Sequence, residues 1–231
     1  MVSQTQISST PSVTYPDSDG QPMANNTEQF RWIVTIQQNL DWLFAENPNV
    51  FVAGDLFWYP VEGRNDIVVA PDVMVVLGRP KGKRGSYKQW EEDNIAPQVV
   101  FEILSPSNTQ NEMDRKLLFF ERYGVEEYYI YDPDQNQLRG FLRGGDGLEV
   151  IEPISTWESP RLKIQFALLP ETLQLTHPDG KPFLSYLEIA EQAEAARQRA
   201  EAAEQRADAA EQRSTQLAER LRALGVDPEE I

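Results

Sequence analysis

Two segments of this chain place a carboxylate where a strand is otherwise apolar. Residues 66–77 read DIVVAPDVMVVL and residues 97–104 read PQVVFEIL. Runs that are apolar along nearly their whole length sit in the centre of a sheet with both faces covered, and this calls for an α/β fold with helices on a mixed sheet. Asp72 lies in the first run and Glu102 in the second. A carboxylate so placed is costly unless it is paired or bound to a cation. On neighbouring strands the two acids would also repel each other. Either Arg115 or Lys116 neutralises them, or a divalent cation between them removes the conflict.

The rest of the chain fits that frame. Residues 1–26 are rich in Ser, Thr, Pro, Gln and Asn and read as a disordered leader. Residues 28–45 carry Phe30, Ile33, Val34, Leu40, Leu43 and Phe44 at helical spacing, and Pro48 ends them. A strand is expected over 50–58, a long polar loop over 78–93, and a second helix over 111–123 stopped by Gly124. Strands follow at 127–132, 137–143 and 148–151, the last two around Gly144-Gly145-Asp146-Gly147. On the second helix Lys116 shares a side with Met113, Phe120 and Tyr123, which turns it inward. The globular domain is expected to span 27–182.

Residues 183–224 form a tail with a seven-residue repeat. Its stripe runs from Ala193 and Ala196 through Ala207 and Ala210 to Leu217, Leu221 and Leu224. Alanine is the best helix former, so a continuous helix is expected, ended by Gly225 and Pro228 before a short C-terminal end at 225–231. The stripe gives either a coiled-coil contact with a second copy, hence a homo-oligomer, or a helix packed on its own domain. An Ala-rich seam buries little area, so the leucines would have to anchor any assembly.

Composition removes several chemistries. The chain has 231 residues and no cysteine, so thiolate metal sites and disulfides are excluded. Its one histidine, His177, precedes Pro178 and is read as a turn residue without function. Any metal must be held by oxygen ligands, which favours magnesium, manganese or calcium. No run is long enough to span a membrane and no signal peptide is visible, so the reading is cytoplasmic without membrane contact. The net charge of −16 opposes general nucleic-acid binding. The tail contributes 11 acids against 6 arginines from Glu188 onward, and the body before it is acidic too. Against this background the segment 78–88 carries five basic residues, among them Lys81, Lys83, Arg84 and Lys88. It is read either as a phosphate contact, with Tyr87 or Trp90 free to stack on a base, or as an ordinary surface loop.

The phrases APDVMVV, PQVVFEILSPSN and DRKLLFFERYGVEEYYIYDP resemble a bacterial restriction-endonuclease family once classed as a domain of unknown function, within the PD-(D/E)XK nuclease superfamily. The resemblance covers about residues 28–169. It implies a restriction-endonuclease-like sheet and metal-dependent hydrolysis of DNA phosphodiester bonds. Asp72 and Glu102, with the main-chain carbonyl of Ile103, would hold Mg2+ or Mn2+, and Lys116 would be catalytic. The superfamily's lysine usually lies two residues after the acid on its strand. That position is Leu104 here, and Lys116 fits relatives in which the lysine has moved to the next helix. Asp55 and Glu28 are possible additional acids but are read as structural. The alternative function is an inactive nuclease fold that assembles through its tail.

Overall fold

The computed structural model describes residues 13–18, 20 and 22–224. It divides into one compact unit ending at Phe183 and a second beginning at Leu184. The first contains α1 (Thr27–Leu43), β1 (Val50–Gly54), β2 (Trp58–Tyr59), β3 (Val73–Leu77), β4 (Tyr87–Lys88), a 3-10 turn at Gln89–Glu91 and β5 (Val99–Ile103). There follow α2 (Gln110–Tyr123), β6 (Glu127–Asp132), β7 (Gln137–Arg143), β8 (Leu148–Val150), β9 (Thr156–Glu158), β10 (Gln165–Leu168) and β11 (Leu173–Thr176).

Six strands form a mixed sheet in the order β1-β3-β5-β6-β7-β8. Only β5 and β6 are parallel, and α2 is the crossover between them. Alternation along the strands explains the apolar runs. Val73, Val75, Val99 and Phe101 face α1 through Ile33, Ile36 and Leu40, and a small sheet ordered β11-β10-β9 adds Phe166, Leu173 and Leu175 to that side. Met74, Val76, Val100, Tyr128 and Ile130 face the other way, onto Met113 and Phe120 of α2. Both faces are buried, so neither β3 nor β5 alternates with polar residues.

Local chemistry sets the ends of α2. Thr109 caps its N-terminus by accepting the Glu112 amide at 3.3 Å. Gly124 ends it in the left-handed region at φ 96°, a conformation that costs a side-chain-bearing residue strain.

Several expectations change. The strand expected over 50–58 breaks after Gly54, because Asp55 takes a left-handed backbone (φ 47°) and turns its amide to the carbonyls of Pro71 and Asp72. The strand expected over 66–77 begins only at Val73. Part of the polar loop is structured, since β4 pairs in parallel with β2 and the 3-10 turn follows. The strands β9, β10 and β11 were not expected. The leader is anchored over its described part. The Tyr59 hydroxyl donates to Pro16 O at 2.7 Å, Asn65 donates to Thr14 O at 2.9 Å, and Tyr15 packs edge-on to Tyr59. Disorder over residues 1–12, also expected, lies outside the described residues.

The second unit holds α3 (Tyr186–Ala223). Ser185 and Glu188 close a capping box at its start, which places the first turn two or three residues later than expected. The helix is continuous through the alanine repeat and ends at Ala223, with Leu224 as C-cap. Leu187, Ile189 and Leu217 are exposed along it. Gly225 and Pro228 lie outside the described residues. Among the described residues, no helix is long and apolar enough to cross a membrane.

Candidate active site

The β3–β5 register brings the two acids together. Val73 pairs with Phe101 and Met74 with Val100, so one further step along the ladder sets Asp72 opposite Glu102. Both side chains fall on the α2 side of the sheet, since they share parity with Met74 and Val100. Asp72 Oδ2 accepts the Ile103 amide at 2.6 Å. Glu102, only 2% exposed, accepts the Lys116 ammonium on Oε2 at 2.6 Å. Its other oxygen, Oε1, is buried and meets no donor in good hydrogen-bond geometry among the described residues, the Asp72 backbone amide acting on the carboxylate only weakly. Lys116 comes from the middle of α2, whose apolar side must face the sheet, and its side chain is 19% exposed.

The site therefore holds two carboxylates against one ammonium. Loss of hydration pushes Asp72 well above the usual carboxylate range, and the charge of Glu102 pushes it further; Lys116 and the Ile103 amide pull back. Burial likewise raises Glu102, opposed by Lys116. Burial draws Lys116 down, but Glu102 and then Asp72 outweigh it, so its pKa lies above the ordinary lysine value. Tyr128 shares this side of the sheet. Among the described residues its buried hydroxyl has no hydrogen-bond partner, and burial followed by the Glu102 charge raises its pKa.

The donor set suits a hard divalent ion. Glu102 Oε1 and the Asp72 carboxylate are hard oxygen acceptors at adjacent strands. The Ile103 carbonyl also takes part in another contact: Gln29, buried on α1, donates to it at 2.8 Å, and one of its two lone pairs remains. Among the described residues no group of three or more acids or histidines gathers. A cation here would rest on two carboxylates and a carbonyl and keep several waters, as Mg2+ commonly does.

The sequence reading missed the frame around these groups. The Asn25 amide donates to the side chain of Gln29 at 2.8 Å, and Asn25 Nδ2 reaches Ser107 Oγ at 2.8 Å. Asn108 accepts the Ser105 amide at 2.9 Å and donates to Glu112 at 3.1 Å. The loop after β5 is thus tied to the start of both helices. The polar phrase SPSN was the only sign of it. Glu127 was also missed. It is fully buried, accepts from the Tyr129 hydroxyl at 2.9 Å, the Arg161 amide at 2.6 Å and Ser159 Oγ, and is a structural carboxylate on the other side of the sheet.

Other expected residues go elsewhere. Glu28 pairs with Arg31 at 3.2 Å. Asp55 is exposed beyond β1 and acts on Asp72 only as the weakest of its raising charges. His177 opens the expected turn, its carbonyl accepting the Gly180 amide at 2.9 Å, but its side chain points into the fold. It is buried between Trp42 and Phe183, with Nε2 3.2 Å from Asn39 Oδ1, and burial lowers its pKa.

The basic segment is largely self-neutralised. Arg84, whose side chain is 12% exposed, bonds Glu92 at 2.6 and 3.1 Å and stacks 4.0 Å from the Phe51 ring centre. Arg84 is therefore engaged within the fold, unlike the lysines of the expected phosphate contact. Tyr87 is buried, with its hydroxyl on Ile95 O at 2.6 Å, and has no face for a base. Lys81 lies 3.2 Å from Asp41 and Lys88 3.5 Å from Glu91, both at the surface, and Lys83 is exposed. Trp90 packs against Tyr15 of the leader, ring centres 5.0 Å apart.

Comparison with curated proteins found no match. Among solved structures, a protein titled "a putative nuclease belonging to DUF820", from Anabaena variabilis ATCC 29413, aligns at 16% identity and a TM-score of 0.47. The alignment covers 62% of this chain and 79% of that one. The family model described as "Uma2: Putative restriction endonuclease" matches residues 7–176, which include the acids, the lysine and the whole six-stranded sheet. This chain belongs to that Uma2 family of restriction-endonuclease-like proteins.

Proposed function

We propose that the protein is a Mg2+- or Mn2+-dependent endonuclease that hydrolyses phosphodiester bonds in DNA. One observation carries the reading. Asp72, just before β3, Glu102 on β5 and Lys116 on α2 converge on one spot, and a buried carboxylate oxygen there meets no well-placed donor among the described residues. The set corresponds to a PD-(D/E)XK site whose lysine has moved from the strand to the following helix. Asp72, Glu102 and the Ile103 carbonyl would hold the ion. When bound, it would activate a water and offset charge on the phosphoryl oxygens. Lys116, kept protonated by its two acids, is a donor here and not a base. It orients the attacking water and stabilises negative charge on the phosphate as the P–O bond opposite the water breaks. Asp72 and Glu102 keep Lys116 in place between turnovers.

Lys83, with Lys81 and Lys88 after release from their surface partners, supplies phosphate contacts. Exposed pairs of that kind cost little to break. A cytoplasmic location is part of this proposal, and a DNA substrate is compatible with it. The exposed leucines of α3 support a homo-oligomer formed through that helix, whether or not the site is active.

Incubation with supercoiled plasmid and Mg2+ or Mn2+ tests the proposal. Nicking by the wild type, lost in Asp72→Asn and Glu102→Gln with the fold intact, is the expected result. Absence of nicking by the wild type with either ion, or equal nicking by the variants, would overturn it.

A further inference from the structure

A cavity of about 410 Å3 opens where the parallel strands β5 and β6 end, between the start of α2 and the β6–β7 turn. In open sheets with parallel strands this is where ligands enter. Among its mostly polar lining residues, Leu104, Met113 and Ile130 are apolar, the last two buried. Each of these three neighbours the active centre. Leu104 lies two residues after Glu102, Met113 lies one helical turn before Lys116, and Ile130 is the cross-strand partner of Glu102. Whatever fills the cavity sits one short step from the proposed scissile phosphate.

The rim decides the class of occupant. Arg139, in register with Ile130 on β7, lines the cavity, and among the described residues it forms no ion pair or side-chain hydrogen bond. Gln135 and Gln137 contribute amides, and Asp132 and Asp134 carboxylates. Asp132 and Asp134 together disfavour a free phosphate or another anion. Apolar residues beside several side-chain amides, two carboxylates and one guanidinium suit a flat, uncharged heterocycle with donors and acceptors on its edge. A guanidinium can stack on such a ring or bond its edge in bidentate fashion. The volume falls within the range of small-ligand pockets, roughly 300–1,000 Å3.

Resting on the nuclease reading above, we infer that this cavity receives one unpaired nucleobase next to the scissile phosphate, so that the preferred substrate is DNA with an unpaired or extrahelical nucleotide. A base already out of the stack enters without the cost of unpairing, which makes the pocket selective for such DNA.

The test uses the full chain and two labelled 20-base-pair duplexes, one fully paired and one with a single unpaired nucleotide. Binding is read by fluorescence anisotropy with Ca2+ present, and plasmid nicking is read in parallel with Mg2+. The wild type is expected to bind the bulged duplex about tenfold tighter. Arg139→Ala and Gln137→Trp, both at exposed positions, should bring that ratio to near one. Equal affinity in the wild type, or a ratio that survives both substitutions, overturns the pocket while plasmid nicking leaves the nuclease reading standing. Failure to bind either duplex, together with absence of nicking, overturns both.

Discussion

At the scale of single residues, the site stores an imbalance. Asp72 and Glu102 both have folded-state pKa values above the ordinary carboxylate range, burial being the first cause in each. A carboxyl raised in this way stabilises the fold below its unfolded pKa and loses that contribution as pH rises through the folded value. The metal-free pair should therefore weaken the fold toward neutral pH. Asp72→Asn leaves Glu102 and Lys116 as a matched pair and keeps an oxygen for the Ile103 amide. We expect it to be more stable than the wild type at pH 7 by about 1 kcal/mol, the scale of a poorly compensated buried polar group. The difference should close as pH falls toward the ordinary Asp value of 3.8, and urea denaturation across that range measures it. These residues were legible because charge in an apolar run is costly wherever the fold puts it. Gln29 was not, since its partner, the Ile103 carbonyl, lies 74 residues away and nothing local marks the pairing. Glu127 was hidden for the same reason, being satisfied by Ser159 and Arg161 from a distant turn.

At the scale of elements, the segment between β3 and β5 shows what composition hides. Five basic residues within 78–88 read as one electrostatic feature, but the fold sorts them. Arg79 and Arg84 enclose Glu92 and lower its pKa, the Arg84 hydrogen bond contributing most. Lys83 is left exposed. The two kinds of residue should separate on substitution. Arg84→Ala should destabilise the domain by about 2 kcal/mol, in line with charge-assisted hydrogen bonds. Lys83→Ala should leave stability within about 0.5 kcal/mol, as for ordinary surface changes, while flattening the salt dependence of DNA binding. Denaturation midpoints and binding at several salt concentrations check both halves; equal loss of stability in the two variants would contradict the sorting. Elsewhere, element type followed periodicity closely. β3 and β5 are buried on both faces and announced themselves as apolar runs, and Gly124 stopped α2 as its backbone freedom allows. β9 and β11 have three and four residues, too few for a pattern to rise above the loops around them. The break after Gly54 was also invisible, because it depends on the Asp55 amide meeting carbonyls from the segment before β3.

At the scale of the whole molecule, the chain joins a sheet-centred unit to a helix of 38 residues. The repeat made that helix plain in the sequence, and its capping box fixed the start. Self-association is a matter of area. Alanine contributes little at about 25 cal/mol per Å2, so the leucines at 217, 221 and 224 must supply most of the contact. Sedimentation of the full chain and of a chain ended at Phe183 should give an oligomer for the first and a monomer for the second. Identical monomeric masses would remove the oligomer from the account.

The central claim is that Asp72 and Glu102 share a divalent ion. Its most direct measurement is a calorimetric titration of Mn2+ into the full wild-type chain and into Glu102→Gln, with the thermal midpoint followed in parallel. The account predicts one ion bound per wild-type chain and a rise in midpoint, since a ligand at a hundred times its Kd adds about 2.7 kcal/mol to stability. It predicts neither for Glu102→Gln. Equal binding by both proteins, or no binding by the folded wild type, would contradict it.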